Sequence, residues 1–425
     1  MRKEQNNIFE GIDWITVTLY LVLISLGWLN IYATSWDESS SATFSFSARY
    51  GKQLIWICFS FILIIFILFF NSKFYEKFSS LMYLFSIVTL IGVLFIGKKI
   101  NGAVSWYSYA GISVQPSEFT KAFTALALAK LMSDRQYNLN LLKNQIKAFI
   151  VIFTPVVLIA LQPDMGSLLV YFSFFFVLNR EGLTLSYFIL GFFSIILFLL
   201  TIAFGIKWVL SITLAVITIY VIYVGYKNKR FLIFNIFKVI SAYLLSSAFI
   251  IGIGYTYSNV LEQHQRNRFD ILLGKISDTR GIGYNTYQAE LAIRSGGLTG
   301  KGFLKGDRTQ GNFVPEQDTD FIFSALSEEW GFLGGAIIII LFMFLLYRII
   351  YLAEKQTNKF GRIYGYGVAS IIFFHLAVNI GMTIGLLPTI GIPLPFFSYG
   401  GSSFWGFTLL LFIFIRLDAH KKYDW

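Results

Sequence analysis

The sequence predicts an all-α integral membrane protein: a polytopic bundle of about 10–12 transmembrane helices carrying one long structured extracytoplasmic loop. Three observations predict it. The chain is 56% hydrophobic and 19% aromatic with only 13% charged residues. Its apolar runs approach the roughly 20 residues that cross a bilayer. Its basic residues collect in particular connections between those runs.

The runs fall at 13–33, 51–70, 77–97, 116–133, 145–161, 164–179, 185–205, 207–225, 237–256, 322–352, 362–386 and 403–417. No small-residue cleavage site follows the first, so it reads as a retained helix and not as a leader. The pair within 185–225 reads as a transmembrane hairpin with few polar residues besides Lys207. The whole of 1–425 reads as one membrane domain, without a separate soluble one.

Charge sets the expected orientation. The connection 226–238 holds Lys227, Lys229, Arg230 and Lys238 with no acid, and 348–362 holds Arg348, Lys355, Lys359 and Arg362 against Glu354. Arg2 and Lys3 mark one end of the chain, and Lys421 and Lys422 the other. By the positive-inside rule these four regions are cytoplasmic, both termini included. The segments 34–50, 98–115, 257–321 and 387–402 are then outside. The net charge of +11 follows largely from this pattern and gives no reason to invoke nucleic acid. Cys58 stands alone within an apolar run and allows no internal disulfide. No Cys/His cluster has zinc spacing.

The segment 257–321 is about 65 residues long, far above ordinary loop length. It keeps Tyr257, Phe269, Leu272, Tyr284, Leu291 and Phe313, enough apolar content to pack. Within it, Gly296 to Gly302 reads GGLTGKG. Such a stretch is a turn or a weak phosphate cradle, and it lacks the Walker A spacing.

Four polar clusters interrupt the apolar pattern on the expected outer side. In the first, Gln115-Pro116-Ser117-Glu118 leads to Lys121. Pro116 suits the first turn of a helix, and Glu118 and Lys121 share a face. An ion pair bracing a polar helix end is the simpler reading, ahead of catalysis. The second is Gln162-Pro163-Asp164-Met165-Gly166-Ser167, where Asp164 is either an N-cap or a functional acid. The third is PEQDTDF, with Glu316, Asp318 and Asp320 alternating before an apolar helix that carries Glu328 and Glu329. Thr319 or Asp320 would serve as its cap by default. Three acids at close range would also raise one pKa, as a general base requires. The fourth, Asn379 through Ser403, has three prolines and the pair Gly400-Gly401. A broken segment of this kind must be buried in protein or line a cavity.

Together the four clusters resemble the SEDS family of membrane proteins. PEQDTDFIFSALSEEWGFLG is similar to that family's acidic signature, and NIGMTIGLLPTIGIPLPFFSYGGSS to its C-terminal one. QPSEFTK, QPDMGS and AELAIRSGGLTGKGF resemble its other marks, in the same order, across essentially the whole chain. The short tails look more like the RodA branch than the FtsW branch. The resemblance implies a peptidoglycan glycosyltransferase that joins lipid II units, working in the bacterial plasma (inner) membrane beside a class B penicillin-binding protein. It places the catalytic Asp on Asp320, the acidic turn on Asp164 and the helix ion pair on Glu118 and Lys121. The chain departs from the pattern in three places. Asp318 stands where the family has His, Ser105 stands where it has Arg, and the hairpin 185–225 is extra.

The chemistry of such a reaction suits these residues. A sugar hydroxyl attacking an anomeric carbon needs a base within hydrogen-bond reach, assigned to Asp320. The leaving pyrophosphate needs positive charge, for which Arg266, Arg268, Lys301 and Lys121 are candidates and a divalent cation (Mg or Mn) an addition. Glu316 and Ser398 are supporting candidates. A lipid II flippase is the alternative, since intramembrane acids and broken helices also suit transport. A scaffold that only recruits the transpeptidase leaves the acidic knot unexplained.

Overall fold

The structure is a computed structural model that describes residues 10–36, 45–100, 102–109, 112–227, 229–261, 263–275 and 283–420. In chain order it comprises α1 (Trp14–Thr34), α2 (Arg49–Phe69), α3 (Ser72–Ile96), β1 (Lys98–Ile100), β2 (Ala103–Tyr109) and β3 (Ile112–Val114). Then come α4 (Pro116–Ser133), α5 (Leu142–Ala160), α6 (Met165–Val170), α7 (Phe174–Arg180), α8 (Ser186–Phe204), α9 (Ile206–Lys227) and α10 (Lys229–Tyr255). The remainder is α11 (Gln263–Leu272), α12 (Tyr284–Gly296), α13 (Asp307–Gln310), α14 (Ile322–Glu354), α15 (Lys359–Thr383) and α16 (Gly401–His420).

Among the described residues ten helices are long and apolar enough to cross a membrane. The protein is therefore a multi-pass membrane protein. The two other apolar runs are different in kind. Helix α4 is mostly buried along its length and carries a buried ion pair. The run 164–179 breaks into α6, a 3₁₀ turn and α7.

The chain divides into two compact units, Met1–Leu183 with Asn285–Trp425, and Thr184–Tyr284. The hairpin of α8 and α9 belongs to the second, together with α10 and α11. That unit packs Leu197, Val209 and Ile250 into a small core. The Tyr257 hydroxyl donates to Asp270 Oδ1 at 2.6 Å, and Phe198 meets Phe269 edge-on at 5.3 Å.

In the first unit α15 and α16 form the centre, with most of their residues buried. Side-chain hydrogen bonds cross the bundle. The Tyr364 hydroxyl donates to Leu410 O at 3.0 Å, and Tyr20 and Thr408 share a bond of 2.9 Å. Beside α3 and α4 the chain forms a three-stranded antiparallel sheet, β1-β2-β3. The apolar periodicity gave no sign of this sheet, because its outer strands are three residues each.

Helix α14 is broken at Gly331, whose φ of 67° and ψ of −165° are not helical. A break leaves main-chain groups without helical partners. The glycine-rich segment 296–302 supplies them. Lys301 N donates to Glu328 O at 3.1 Å and Gly302 N to Glu329 O at 2.9 Å. In return Phe332 N donates to Gly297 O at 2.9 Å and Leu333 N to Leu298 O at 3.1 Å. The approach is close enough that a Cβ on Gly300 would lie 2.1 Å from Glu329 O. GGLTGKG is thus a main-chain splint for the kink, which is what its glycines allow.

Candidate active site

The acidic turn before α14 is fixed almost wholly through its main chain. Thr319 N and Phe321 N both donate to Glu316 O, at 3.2 and 3.1 Å, closing the turn on itself. Asp318 O accepts from Tyr399 N at 2.8 Å, and Thr319 O from Ser398 Oγ at 2.6 Å. Asp320 O accepts from Asn379 Nδ2 at 2.9 Å, and Ile322 O from Asn30 Nδ2 at 3.0 Å. Gln317 is buried, and its side-chain nitrogen lies 3.1 Å from Thr34 O. Four carbonyls in five residues are therefore held by α1, α15 and the loop before α16. The helix begins at Ile322 with Phe321 at the N-cap position and no side-chain cap from it. The cap expected at Thr319 or Asp320 falls one residue later.

The three acids have separate environments. Glu316 is exposed and accepts from Thr319 Oγ1 at 3.0 Å. Asp318 is only 1% exposed; one oxygen takes a hydrogen bond from the Arg49 guanidinium, and the other has no hydrogen-bond partner. Burial lifts the Asp318 carboxyl above the usual carboxylate range, and Arg49 opposes that shift. Asp320 is half-buried, with its carboxylate against the loop at Gly391: a Cβ built there would lie 3.2 Å from Asp320 Oδ2.

Gly391 is also where another cluster arrives. A Cβ on Gly166 would lie 2.8 Å from Gly391 O, so the start of α6 packs on the same loop. Asp164 caps α6 by accepting from Ser167 N at 3.1 Å, and its other oxygen accepts from Gln115 Nε2 at 2.6 Å. Gln115 N in turn donates to Ser402 Oγ at 3.1 Å. Ser398 ties this loop together, accepting from Leu394 N at 2.9 Å while it donates to Thr319 O. The four polar clusters, scattered along nearly 290 residues of sequence, thus form one connected region.

Below that region lies the Glu118–Lys121 pair. Pro116 occupies the first turn of α4, as its fixed φ favours. Lys121 Nζ is 2.9 Å from Glu118 Oε2 and 3.0 Å from His375 Nε2, and 5.1 Å from the centre of the Phe407 ring. All three titratable side chains are buried. His375 was absent from the sequence reading, because a lone histidine in an apolar helix carries no motif.

The remaining cationic candidates have partners of their own. Lys301 binds Glu328 Oε1 and Asp307 Oδ2, both at 2.9 Å. Burial disfavours its charge, but the two carboxylates outweigh burial and raise its pKa. Glu328 accepts from Thr309 N, Thr309 Oγ1 and Arg308 N at 2.9, 2.7 and 3.1 Å, anchoring α13. Arg266 and Arg268 belong to the second unit, where Arg266 Nε donates to Leu261 O at 3.0 Å. The cation at the acidic turn is Arg49, which sequence reasoning missed. It opens an apolar helix 269 residues before Asp318, and no motif around it points to that partner. Among the described residues no group of three or more His, Cys, Asp or Glu side chains could hold a metal ion.

A multi-pass helical bundle that gathers the half-exposed Asp164 and Asp320 and a broken C-terminal loop into one connected region defines a polytopic membrane protein with an acidic polar site. The chain belongs to the FtsW/RodA/SpoVE family of cell cycle proteins, whose profile matches residues 13–235 and 209–423. It is 30% identical over 441 residues to the peptidoglycan glycosyltransferase RodA of Treponema pallidum, covering 96% of this chain and 98% of that one. It is 33% identical over 349 residues to the peptidoglycan glycosyltransferase MrdB of Escherichia coli K12, covering 82% and 80%. Among solved structures it is similar to a chain of a peptidoglycan synthase complex that coordinates polymerization and crosslinking. That match has a TM-score of 0.70 at 25% identity, over 97% of this chain and 99% of the other. The crystal structure of Thermus thermophilus RodA shares the fold, with a TM-score of 0.62 at 23% identity over 97% and 98%.

Proposed function

We propose that this protein is a peptidoglycan glycosyltransferase that polymerises lipid II into glycan strands for cell-wall elongation and cell shape. The observation that carries the reading is the placement of Asp320. Its main chain is held by Asn379, and its carboxylate stands half-exposed against Gly391, where α6 also packs. In the reaction the acceptor sugar hydroxyl attacks the anomeric carbon of the lipid-linked donor, and Asp320 takes the hydroxyl proton. The new C–O bond forms as the bond to the pyrophosphate oxygen breaks, and the anomeric centre inverts. Lys121 is buried and Lys301 is held by two carboxylates, so neither is the best cation for the leaving group. We assign that task to Arg49, whose side chain is 56% exposed and has further donors beyond the one on Asp318.

The class B penicillin-binding protein partner belongs to this proposal, as does the bacterial plasma membrane. So does an orientation with both termini cytoplasmic and 257–321 outside. Labelling Thr299→Cys, an exposed position, from outside intact cells tests the orientation; labelling only after permeabilisation overturns it. The hairpin α8–α9 is proposed to be accessory, since none of the four polar clusters lies in it. A flippase is the weaker reading, because the acidic turn precedes a membrane helix and does not interrupt one at mid-depth. Incubating the purified protein with lipid II, with and without a class B penicillin-binding protein, tests the activity. Glycan ladders on a gel are expected; transport without product would favour the flippase.

A further inference from the structure

His375 sits on α15 one turn before Asn379, and the two side chains grip adjacent carbonyls of the same loop. Asn379 Nδ2 donates to Ile392 O at 2.7 Å, and His375 Nδ1 lies 3.1 Å from Pro393 O. A carbonyl oxygen only accepts, so Nδ1 must carry the proton. On the other side of the ring Nε2 is 3.0 Å from the Lys121 ammonium, which only donates. Nε2 must therefore offer its lone pair. These two bonds fix the ring as neutral and as a single tautomer. A protonated ring would set two donors facing one another in a site where His375 is 1% exposed. Phe407 closes the site, meeting the His375 ring edge-on at 4.7 Å.

The consequence runs upward. Glu118 fixes Lys121, Lys121 fixes His375, and His375 fixes Pro393 O. Two residues earlier the same loop presents Gly391 to the Asp320 carboxylate. We infer that His375 is a positioning residue for the transfer reaction: a neutral imidazole of one tautomer that ties the buried Lys121–Glu118 pair to the loop beneath Asp320. It touches neither substrate nor the reacting carboxylate. This inference rests on the glycosyltransferase reading only for its kinetic part.

Two measurements test it on the full chain in nanodiscs. The first is nitrogen NMR of ¹⁵N-histidine-labelled protein at pH 7. The chain has only 3 histidines, and His375→Asn identifies the signal. A ring protonated at Nδ1 and bare at Nε2 is expected; an imidazolium, or the opposite tautomer, overturns the inference. The second is kinetic. His375→Leu removes both bonds, whereas His375→Asn places an amide donor near the Nδ1 position and keeps the bond to Pro393 O. His375→Leu should lower kcat roughly tenfold or more with KM for lipid II little changed, since a small displacement of a reacting group is costly. His375→Asn should recover much of that kcat. Equal kcat losses in the two variants, or a loss that appears in KM alone, overturns the positioning role. If the wild type makes no glycan, the glycosyltransferase reading fails, while the tautomer measurement still judges the tie itself.

Discussion

Asn379 holds Asp320 by its main chain: the side-chain nitrogen lies 2.9 Å from Asp320 O and, at the same time, 2.7 Å from Ile392 O. One buried amide thus sets the spacing between the acidic turn and the loop that faces it. Asn379→Leu keeps the branched outline of the side chain and strands two carbonyls. A loss of about 1–3 kcal/mol in stability is expected, the ordinary cost of a buried unsatisfied polar group. Lipid II polymerisation should fall further than the melting temperature explains, because the carboxylate shifts against Gly391. A variant with a lowered melt but full turnover of the folded fraction would show that the spacing does not matter.

Much of this was legible in the sequence, for physical reasons that differ by element. Pro116 and Asp164 announce helix starts through their own local chemistry, and both stand where expected. The long apolar runs mark the membrane helices by length alone. Asp320 and Ser398 stood out as polar residues in a chain that is poor in them. What escaped depends on pairing over long distances. Arg49 acquires its meaning from Asp318, and His375 from Lys121, 254 residues away. The role of GGLTGKG could not be read because its partner is a break at Gly331 inside what looks like one uninterrupted apolar run.

That splint gives a sharp contrast between two glycines of positive φ. Gly300 has φ 81° and meets Glu329 O at 2.1 Å, whereas Gly102 has φ 92° with open space where a Cβ would go. Gly102→Ala should cost about 1 kcal/mol, from backbone strain alone. Gly300→Ala adds a clash with main chain that cannot move aside, and several kcal/mol are expected on the order of the larger single-residue effects. Thermal melts of the two variants in the same detergent decide it; equal shifts would mean that the loop is not docked on the kink.

Glu118 and Lys121 are both buried, so removing one partner leaves an uncompensated charge. Glu118→Gln and Lys121→Met should each destabilise by about 3–5 kcal/mol. The double variant should be less harmful than the sum, with a coupling of about 0.5–3 kcal/mol. Additive losses in a denaturation cycle would show that the contact contributes nothing of its own.

Asp318 predicts a pH dependence of definite sign. Burial raises its folded pKa above the ordinary value of 3.8, even with Arg49 beside it. A raised carboxyl contributes stability that is fully present below the unfolded pKa and is lost as pH rises through the folded one. Relative to wild type, Asp318→Asn should therefore gain stability as pH climbs above about 4, levelling off once Asp318 has ionised in the fold. Paired melts from pH 3.5 to 7.5 read the difference. A gap that stays constant, or moves the other way, would mean that Arg49 outweighs burial.

Asp320→Asn is the test nearest the chemistry. The bond from Asn379 goes to the main-chain carbonyl of residue 320, so the substitution leaves it in place. Asn is close in size to Asp, so the turn and its contact with Gly391 should persist, and the variant should melt near wild type and still bind lipid II. It cannot accept the acceptor hydroxyl's proton, and polymerisation should drop roughly a hundredfold or more. Asp318→Asn, in a residue already paired with Arg49, should cost less turnover. Glycan product on gels, run beside melts of each variant, separates the two carboxylates. An Asp320→Asn protein that polymerises lipid II at nearly the wild-type rate would remove Asp320 from the mechanism and leave the region around Gly391 as a binding surface without a base.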